Sequence, residues 1–316
     1  MLVKVLDRSS LGDDLCLEKL SAFGKVEVYD RSDRGELKER IRDAEVIVIN
    51  KLRIDKEILD EAYKLRIVCV FATGYDNIDL AECRRRGIAV CNVPGYSTDS
   101  VALFTVSTVL NLVTHLGVYS EYVSNGNYTR SRVANLLAPP YSELRGKTWG
   151  IVGYGNIGKA VGRVAEAFGC CVLVNKRTAV EGIGCVDIDT LCKESDIITL
   201  HCPLNDGTRG LINKSRLSLM KRDAILVNEA RGAVVDSDAV AEAILAGRLG
   251  GFGSDVYEQE PFDEKHPYNK IMGRENVILT PHAAWGAYEA RCRCRDSICD
   301  NIRSFVNGDS LNRVDV

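Results

Sequence analysis

No apolar run in this 316-residue chain reaches the length of about 18 residues that a membrane-crossing helix requires, because Asp, Arg or Lys interrupts each one. A basic excess is missing too. The 41 Lys and Arg stand against 44 Asp and Glu, and the net charge of −3 gives no footprint for nucleic acid. Arg84-Arg85-Arg86 and the alternating Arg291, Arg293 and Arg295 read as solvated helix faces. No Cys-x-x-Cys pair occurs among the 12 cysteines, and the 4 histidines do not gather with them in a metal-binding pattern. Cys69, Cys91 and Cys170-Cys171 lie in apolar, strand-like runs and read as reduced, mostly buried thiols of a cytoplasmic protein. No metal is expected, even at the closely spaced Cys292, Cys294 and Cys299. The N-terminal Met-Leu-Val-Lys-Val-Leu-Asp has no basic region ahead of an apolar stretch, so a signal peptide is not expected. Internal repeats and low-complexity segments are also lacking.

What is present is an apolar fraction of 46%, enough for two domains that each bury a core. Short runs rich in Val, Ile and Leu at 2–7, 25–30, 45–50, 66–71 and 88–91 read as strands. Segments with helical spacing separate them, such as Leu15, Leu17, Leu20 and Phe23, or Leu37 and Ile41. Strands alternating with helices imply a parallel sheet covered on both faces. Asn92-Val93-Pro94-Gly95-Tyr96 breaks the pattern, and 100–117 reads as a buried helix. The polar segment 119–140, with Asn-Gly-Asn and Pro-Pro, is expected to be a loop or arm over the surface or onto a partner. A second series of strands follows at 148–152, 171–175, 197–201, 224–228, 251–254 and 277–279, and a helix over 285–307 closes the chain.

Gly153-Tyr154-Gly155-Asn156-Ile157-Gly158 matches G-x-G-x-x-G, and its context gives the match its weight: a strand precedes it, an amphipathic helix follows, and another strand closes the unit. The first glycine permits the tight turn, the second lets backbone approach a pyrophosphate, and the third lets helix and strand pack closely. Free N–H groups at the helix start then meet phosphate charge. An acidic residue that bonds the ribose of a dinucleotide is expected about 20 residues on. Asn175-Lys176-Arg177-Thr178 stands there instead, without a carboxylate. Asn175 removes the repulsion of a 2′-phosphate, and Lys176, Arg177 and Thr178 offer it charge and a hydroxyl, so NADP(H) is expected over NAD(H) by a small margin.

Three more segments put polar residues just beyond apolar strands, where open α/β sheets bind ligands. They are Asn228-Glu229-Ala230-Arg231-Gly232, Asp255-Val256-Tyr257-Glu258-Gln259-Glu260-Pro261 and Thr280-Pro281-His282-Ala283-Ala284-Trp285. In this order, after a dinucleotide turn, they resemble the D-isomer-specific 2-hydroxyacid dehydrogenase family. The likeness runs through Ala72-Thr73-Gly74-Tyr75-Asp76-Asn77-Ile78-Asp79, Asn92-Val93-Pro94, Ser97-Thr98-Asp99-Ser100-Val101-Ala102 and His201-Cys202-Pro203-Leu204 with Thr208. The Ala-Thr-Gly-Tyr run and the Trp after Pro-His-x-Ala are most similar to the glycerate dehydrogenase and hydroxypyruvate reductase group.

The resemblance implies an α/β protein of two domains: a flavodoxin-like substrate domain at 1–97 and 286–316, and a Rossmann-type doubly wound cofactor domain at 98–285. It implies Arg231 as the ligand of substrate carboxylate and carbonyl, for which its planar fork is suited and lysine is not. His282 is implied as proton donor to the ketone oxygen, with Glu260 orienting the ring and supporting its charge. Backbone of Thr73 and Gly74, with Tyr75 and Trp285, is implied on the substrate, which the resemblance puts in a cleft between the domains. Beyond the glycine turn and 175–177, the cofactor residues implied are Thr98, Cys202, Pro203, Thr208, Glu229, Ala230, Arg231, Asp255, His282 and Ala284. The chemistry is hydride transfer between a nicotinamide and a small 2-keto acid, with the cation and the acid stabilising charge that grows on the ketone oxygen.

Glu229 departs from the family pattern, which has a small neutral residue there. Val70-Phe71 stand where relatives acting on phosphoglycerate carry a basic residue, and the regulatory extension of many such relatives is not expected, so a phosphorylated substrate is not expected either. Hydroxypyruvate is expected first and glyoxylate second. D-lactate dehydrogenase is the alternative within the class, and a non-catalytic NAD(H)-sensing binding protein the alternative outside it. A small molecule and a second copy of the chain are the partners expected.

Overall fold

A computed structural model of the chain describes residues 1–177 and 184–316 and divides it into two compact units, Met1–Ser97 with Trp285–Val316 and Thr98–Ala284. Thr178, counted above among the groups facing a 2′-phosphate, lies outside the described residues.

The first unit holds β1 (Leu2–Val5), β2 (Lys25–Val28), β3 (Val46–Ile49), β4 (Ile67–Val70) and β5 (Ala89–Cys91) in one parallel sheet of order β2-β1-β3-β4-β5, the flavodoxin-like order. Alternation sorts the side chains onto two cores. Val46, Val48, Ile67 and Cys69 face the C-terminal helix Tyr288–Val306 through Ala290, Cys294, Ile298 and Ile302. Ile47, Ile49, Val68 and Val70 face Leu37, Ile41, Ile58 and Cys83. Burial on both faces is why these strands read as continuous apolar runs.

The second unit holds β6 (Thr148–Val152), β7 (Cys171–Asn175), β8 (Gly184–Cys185), β9 (Ile197–Leu200), β10 (Ile225–Asn228), β11 (Gly251–Ser254) and β12 (Val277–Leu279). Their parallel order is β12-β11-β10-β9-β6-β7-β8, so the connection reverses between β6 and β9. This is the doubly wound Rossmann arrangement, whose ligands bind outside the carboxyl ends of the strands near such a reversal. Helices Thr98–Thr114 and Asn156–Ala167 cover one face, with Val109, Leu112, Val161 and Ala165 packed on Trp149, Ile151 and Val227.

The segment 119–140 is not the continuous loop expected. Helix Leu116–Ser124 runs into it, and a short helix Asn127–Ser131 follows. Asn125-Gly126 is the turn between them, with Gly126 at φ 77°, so a turn signal within two helices reads in sequence as a loop. The two-residue β8 was also missed, being too short to show a period.

Candidate active site

The polar residues singled out in sequence stand at the carboxyl ends of β9 to β12, beside the glycine turn after β6. The loop after β12 is fixed on both sides of His282. Asp255, just past β11 and 1% exposed, accepts from Thr280 Oγ1 at 2.6 Å and Ala283 N at 2.8 Å through Oδ1, and from Ala284 N at 2.8 Å through Oδ2. Ser100 Oγ donates to the Ala284 carbonyl at 2.6 Å. Held this way, His282 adopts φ 53°, a left-handed conformation costing a non-glycine residue on the order of 1 kcal/mol or more.

His282 Nδ1 lies 2.6 Å from Glu260 Oε2, and Oε1 of the same carboxylate accepts from Tyr257 N at 3.1 Å. Tyr257 in turn donates its hydroxyl to Thr280 O at 2.8 Å. The carboxylate is thus gripped on one oxygen and bonded to the ring on the other, which fixes the ring's orientation.

Arg231 comes from the turn after β10. Asn228, fully buried, accepts from Ala230 N at 3.1 Å and donates to Arg231 O at 3.0 Å. Arg231 itself is half-buried, with Nη1 donating to Ala230 O at 2.8 Å. Gly232 lets this turn press on the next one: a Cβ there would meet the Tyr257 carbonyl carbon at 1.9 Å. Any side chain at 232 would push the arginine turn off the loop that carries Glu260.

The glycine turn fits a dinucleotide. A Cβ on Gly153 would meet Cys202 N at 2.6 Å, and one on Gly158 would meet Gly153 O at 2.2 Å, so both close approaches need glycine. Helix Asn156–Ala167 begins at Gly155 without a side-chain cap, which leaves its first N–H groups to an anion. The Tyr154 ring is buried in the core, so that residue offers only its backbone. At the end of β7, Asn175 Nδ2 donates to Val186 O at 3.0 Å, while Lys176 and Arg177 are exposed. Thr208 Oγ1 donates to Pro203 O at 2.6 Å and accepts from Asn205 N at 2.9 Å, closing the loop that begins at Cys202.

Among the described residues, two buried groups here lack any partner. Both carboxylate oxygens of Glu229 are shielded and unbonded, as are both ring nitrogens of His201. Burial pushes Glu229 up to about 9, with the negative charge of Asp255 adding to it, and burial alone pushes His201 down to about 3. Both are therefore neutral at pH 7. Buried polar groups without a protein partner are rare, and both stand at the strand ends where such sheets bind ligands. His201 was quoted above only as part of a motif; its position beside the reversal between β6 and β9 was the signal that could have singled it out.

In the first unit, Thr73 Oγ1 donates to Val93 O at 2.9 Å and Asn92 Nδ2 to Thr73 O at 2.7 Å, which shapes the turn of Thr73 and Gly74 after β4. Tyr75 is exposed, and Trp285 packs edge-on against Phe71 and Tyr96, with ring centroids 6.3 and 6.2 Å away. Thr98 opens the first helix of the second unit, and Ala230 and Ala284 are buried.

The family model "D-isomer specific 2-hydroxyacid dehydrogenase, NAD binding domain" matches residues 106–284. The chain is 35% identical to the hydroxypyruvate reductase of Blautia hydrogenotrophica, over 99% of this chain and 99% of that one. It superposes with a TM-score of 0.88 and 30% identity on the D-lactate dehydrogenase of Aquifex aeolicus complexed with NAD and lactic acid, covering 100% of this chain and 99% of that one. With the NADPH-dependent glyoxylate/hydroxypyruvate reductase of Sinorhizobium meliloti, in complex with NADP and malonate, the TM-score is 0.86 at 28% identity, covering 99% and 96%. The chain belongs to the D-isomer-specific 2-hydroxyacid dehydrogenase family and is a nicotinamide-dependent dehydrogenase of small-molecule substrates.

Proposed function

We propose that the chain reduces hydroxypyruvate, and glyoxylate second, to the corresponding 2-hydroxy acid. The observation that carries this reading is the 2.6 Å bond from Glu260 to His282 Nδ1, on loops stitched together by Asp255 and pressed on by the Arg231 turn. A bound reduced nicotinamide supplies the hydride. His282, with Nδ1 committed to Glu260, donates its proton through Nε2 to the oxygen that gains charge. Arg231 holds the substrate carboxylate and stabilises that oxygen. Backbone of Thr73 and Gly74, with Tyr75 and Trp285, is proposed to hold the substrate as well. The names of the Blautia and Sinorhizobium relatives support hydroxypyruvate, and the Sinorhizobium name glyoxylate, over the lactate of the Aquifex enzyme.

For the cofactor we propose acceptance of NADPH with a small preference over NADH, on the exposed Lys176 and Arg177 and the missing carboxylate at 175. Asn175 pulls the other way. With Nδ2 on Val186, it meets a ribose through Oδ1, an acceptor suited to a hydroxyl and not to a phosphate. The second copy of the chain is proposed to cover the segment after Leu116, where Leu116, Val123, Val133 and Leu137 are exposed, Leu137 by 81%. Among the described residues no single helix is long and apolar enough to cross a membrane.

Turnover of hydroxypyruvate, glyoxylate and pyruvate with each nicotinamide tests the substrate reading. Hydroxypyruvate should give the highest kcat/KM; a higher value for pyruvate would make the chain a lactate dehydrogenase, and no turnover would leave a binding protein. Arg231→Lys should raise KM and lower kcat together, because it keeps charge and loses the bidentate fork.

A further inference from the structure

Resting on the cofactor seat proposed above, we propose that Glu229 distinguishes the oxidised cofactor from the reduced one: it stays a neutral acid beside the uncharged reduced ring and releases its proton to solvent when the cationic oxidised ring binds. The oxidised nicotinamide carries a positive charge that the reduced ring lacks, and a carboxyl group is the side chain that can answer that difference by ionising.

The placement supports this. Leu200 of β9 is in register with Asn228 of β10, and Asn228 with Ser254 of β11. His201, Glu229 and Asp255 are therefore the next residues at three adjacent strand ends, beside the glycine turn that approaches Cys202. Glu229 is 9% exposed and neither of its oxygens has a partner. A structural acid in so dry a position is ordinarily bonded to protein, and this one is not.

The groups around it also favour a switchable proton. On the β9 side stands His201, held neutral by burial. On the β11 side stand Asp255, whose negative charge opposes ionisation of Glu229, and Tyr257. On its own turn stands Arg231, whose Nη1 donates to Ala230 O at 2.8 Å. From the loop after β12, His282 is paired with Glu260. Burial and Asp255 hold Glu229 up to about 9, so the proton is on at pH 7 and a nearby cation has something to displace.

Isothermal titration calorimetry of the whole chain, in buffers of differing ionisation enthalpy, counts that proton. NADP+ and NADPH, and then NAD+ and NADH, are titrated at pH 7 and pH 8. The oxidised forms should release close to one proton and tighten by up to about tenfold over that pH unit, while the reduced forms do neither. In Glu229→Gln the oxidised and reduced forms should still bind, and the difference in proton count should vanish. Glu229→Thr serves if the glutamine variant does not fold. Equal proton counts for both redox forms in the unaltered chain, or a difference that survives in the variant, overturn the role of Glu229 alone. Failure of every dinucleotide to bind would overturn the cofactor seat and this inference with it.

Discussion

Asp255 and Glu229 stand at the ends of neighbouring strands, 1% and 9% exposed. Asp255 has both oxygens filled by donors from 280–284, and Glu229 has neither filled. In a dry setting a carboxyl group met by several donors works as a clamp on the loop that supplies them, whereas burial of one met by none favours its neutral form. Asn175, at the end of β7, is the intermediate case, with one polar atom committed to Val186.

The clamp should be the more damaging to break. Asp255→Ala leaves the N–H groups of Ala283 and Ala284 and the Thr280 hydroxyl without their acceptor, and should cost about 1–3 kcal/mol in denaturant-induced unfolding. Activity should fall with it as His282 loses its fixed loop. Unchanged stability would mean that Asp255 does not hold that loop and that the contrast with Glu229 is empty.

The intermediate case should show in selectivity and not in stability. Asn175→Asp with Arg177→Ala restores the acid that meets a ribose hydroxyl and removes a cation offered to phosphate. The NADPH/NADH ratio of kcat/KM should swing toward NADH by about tenfold or more, with little change in unfolding, since charge-assisted bonds contribute about 1.5–3 kcal/mol each. An unmoved ratio would show that 175–177 do not read the 2′ position.

Glu229→Gln should have the smallest effect below about pH 4.5, a few tenths of a kcal/mol, because there one neutral polar group replaces another in the folded and the unfolded chain alike. Its signature lies in pH dependence. The Glu229 carboxyl sits at about 9 in the fold against 4.5 for the free group. Between those values the folded state binds more protons than the unfolded one, so this group's contribution is full below 4.5 and is lost as pH rises to about 9, with a slope of at most about 1.4 kcal/mol per pH unit. The glutamine variant should therefore gain on the parent as pH rises through that window. Parallel stability curves would put Glu229 among ordinary, ionised carboxylates.

The strands were largely legible because sheets covered on both faces leave apolar runs such as Val46–Ile49 and Ile225–Asn228. The glycine turn was legible because Gly153 and Gly158 sit where no Cβ fits. What sequence could not convey is which hydrogen bonds each polar residue makes. Asp255 read as a cofactor residue, and nothing in the string says that its oxygens would be filled by Thr280, Ala283 and Ala284, more than 20 residues on. Glu229 was visible as a departure from the family pattern, but its lack of any partner is a property of packing. Asn175 likewise gave no sign that Val186 would claim its amide.

The proposed reaction requires that His282, oriented by Glu260, give the proton. Its most direct test is steady-state reduction of hydroxypyruvate by His282→Ala, with dinucleotide Kd measured alongside. Turnover should fall by roughly 10²-fold or more while Kd stays close to that of the unaltered chain. Turnover near that of the unaltered chain would remove His282 from the reaction.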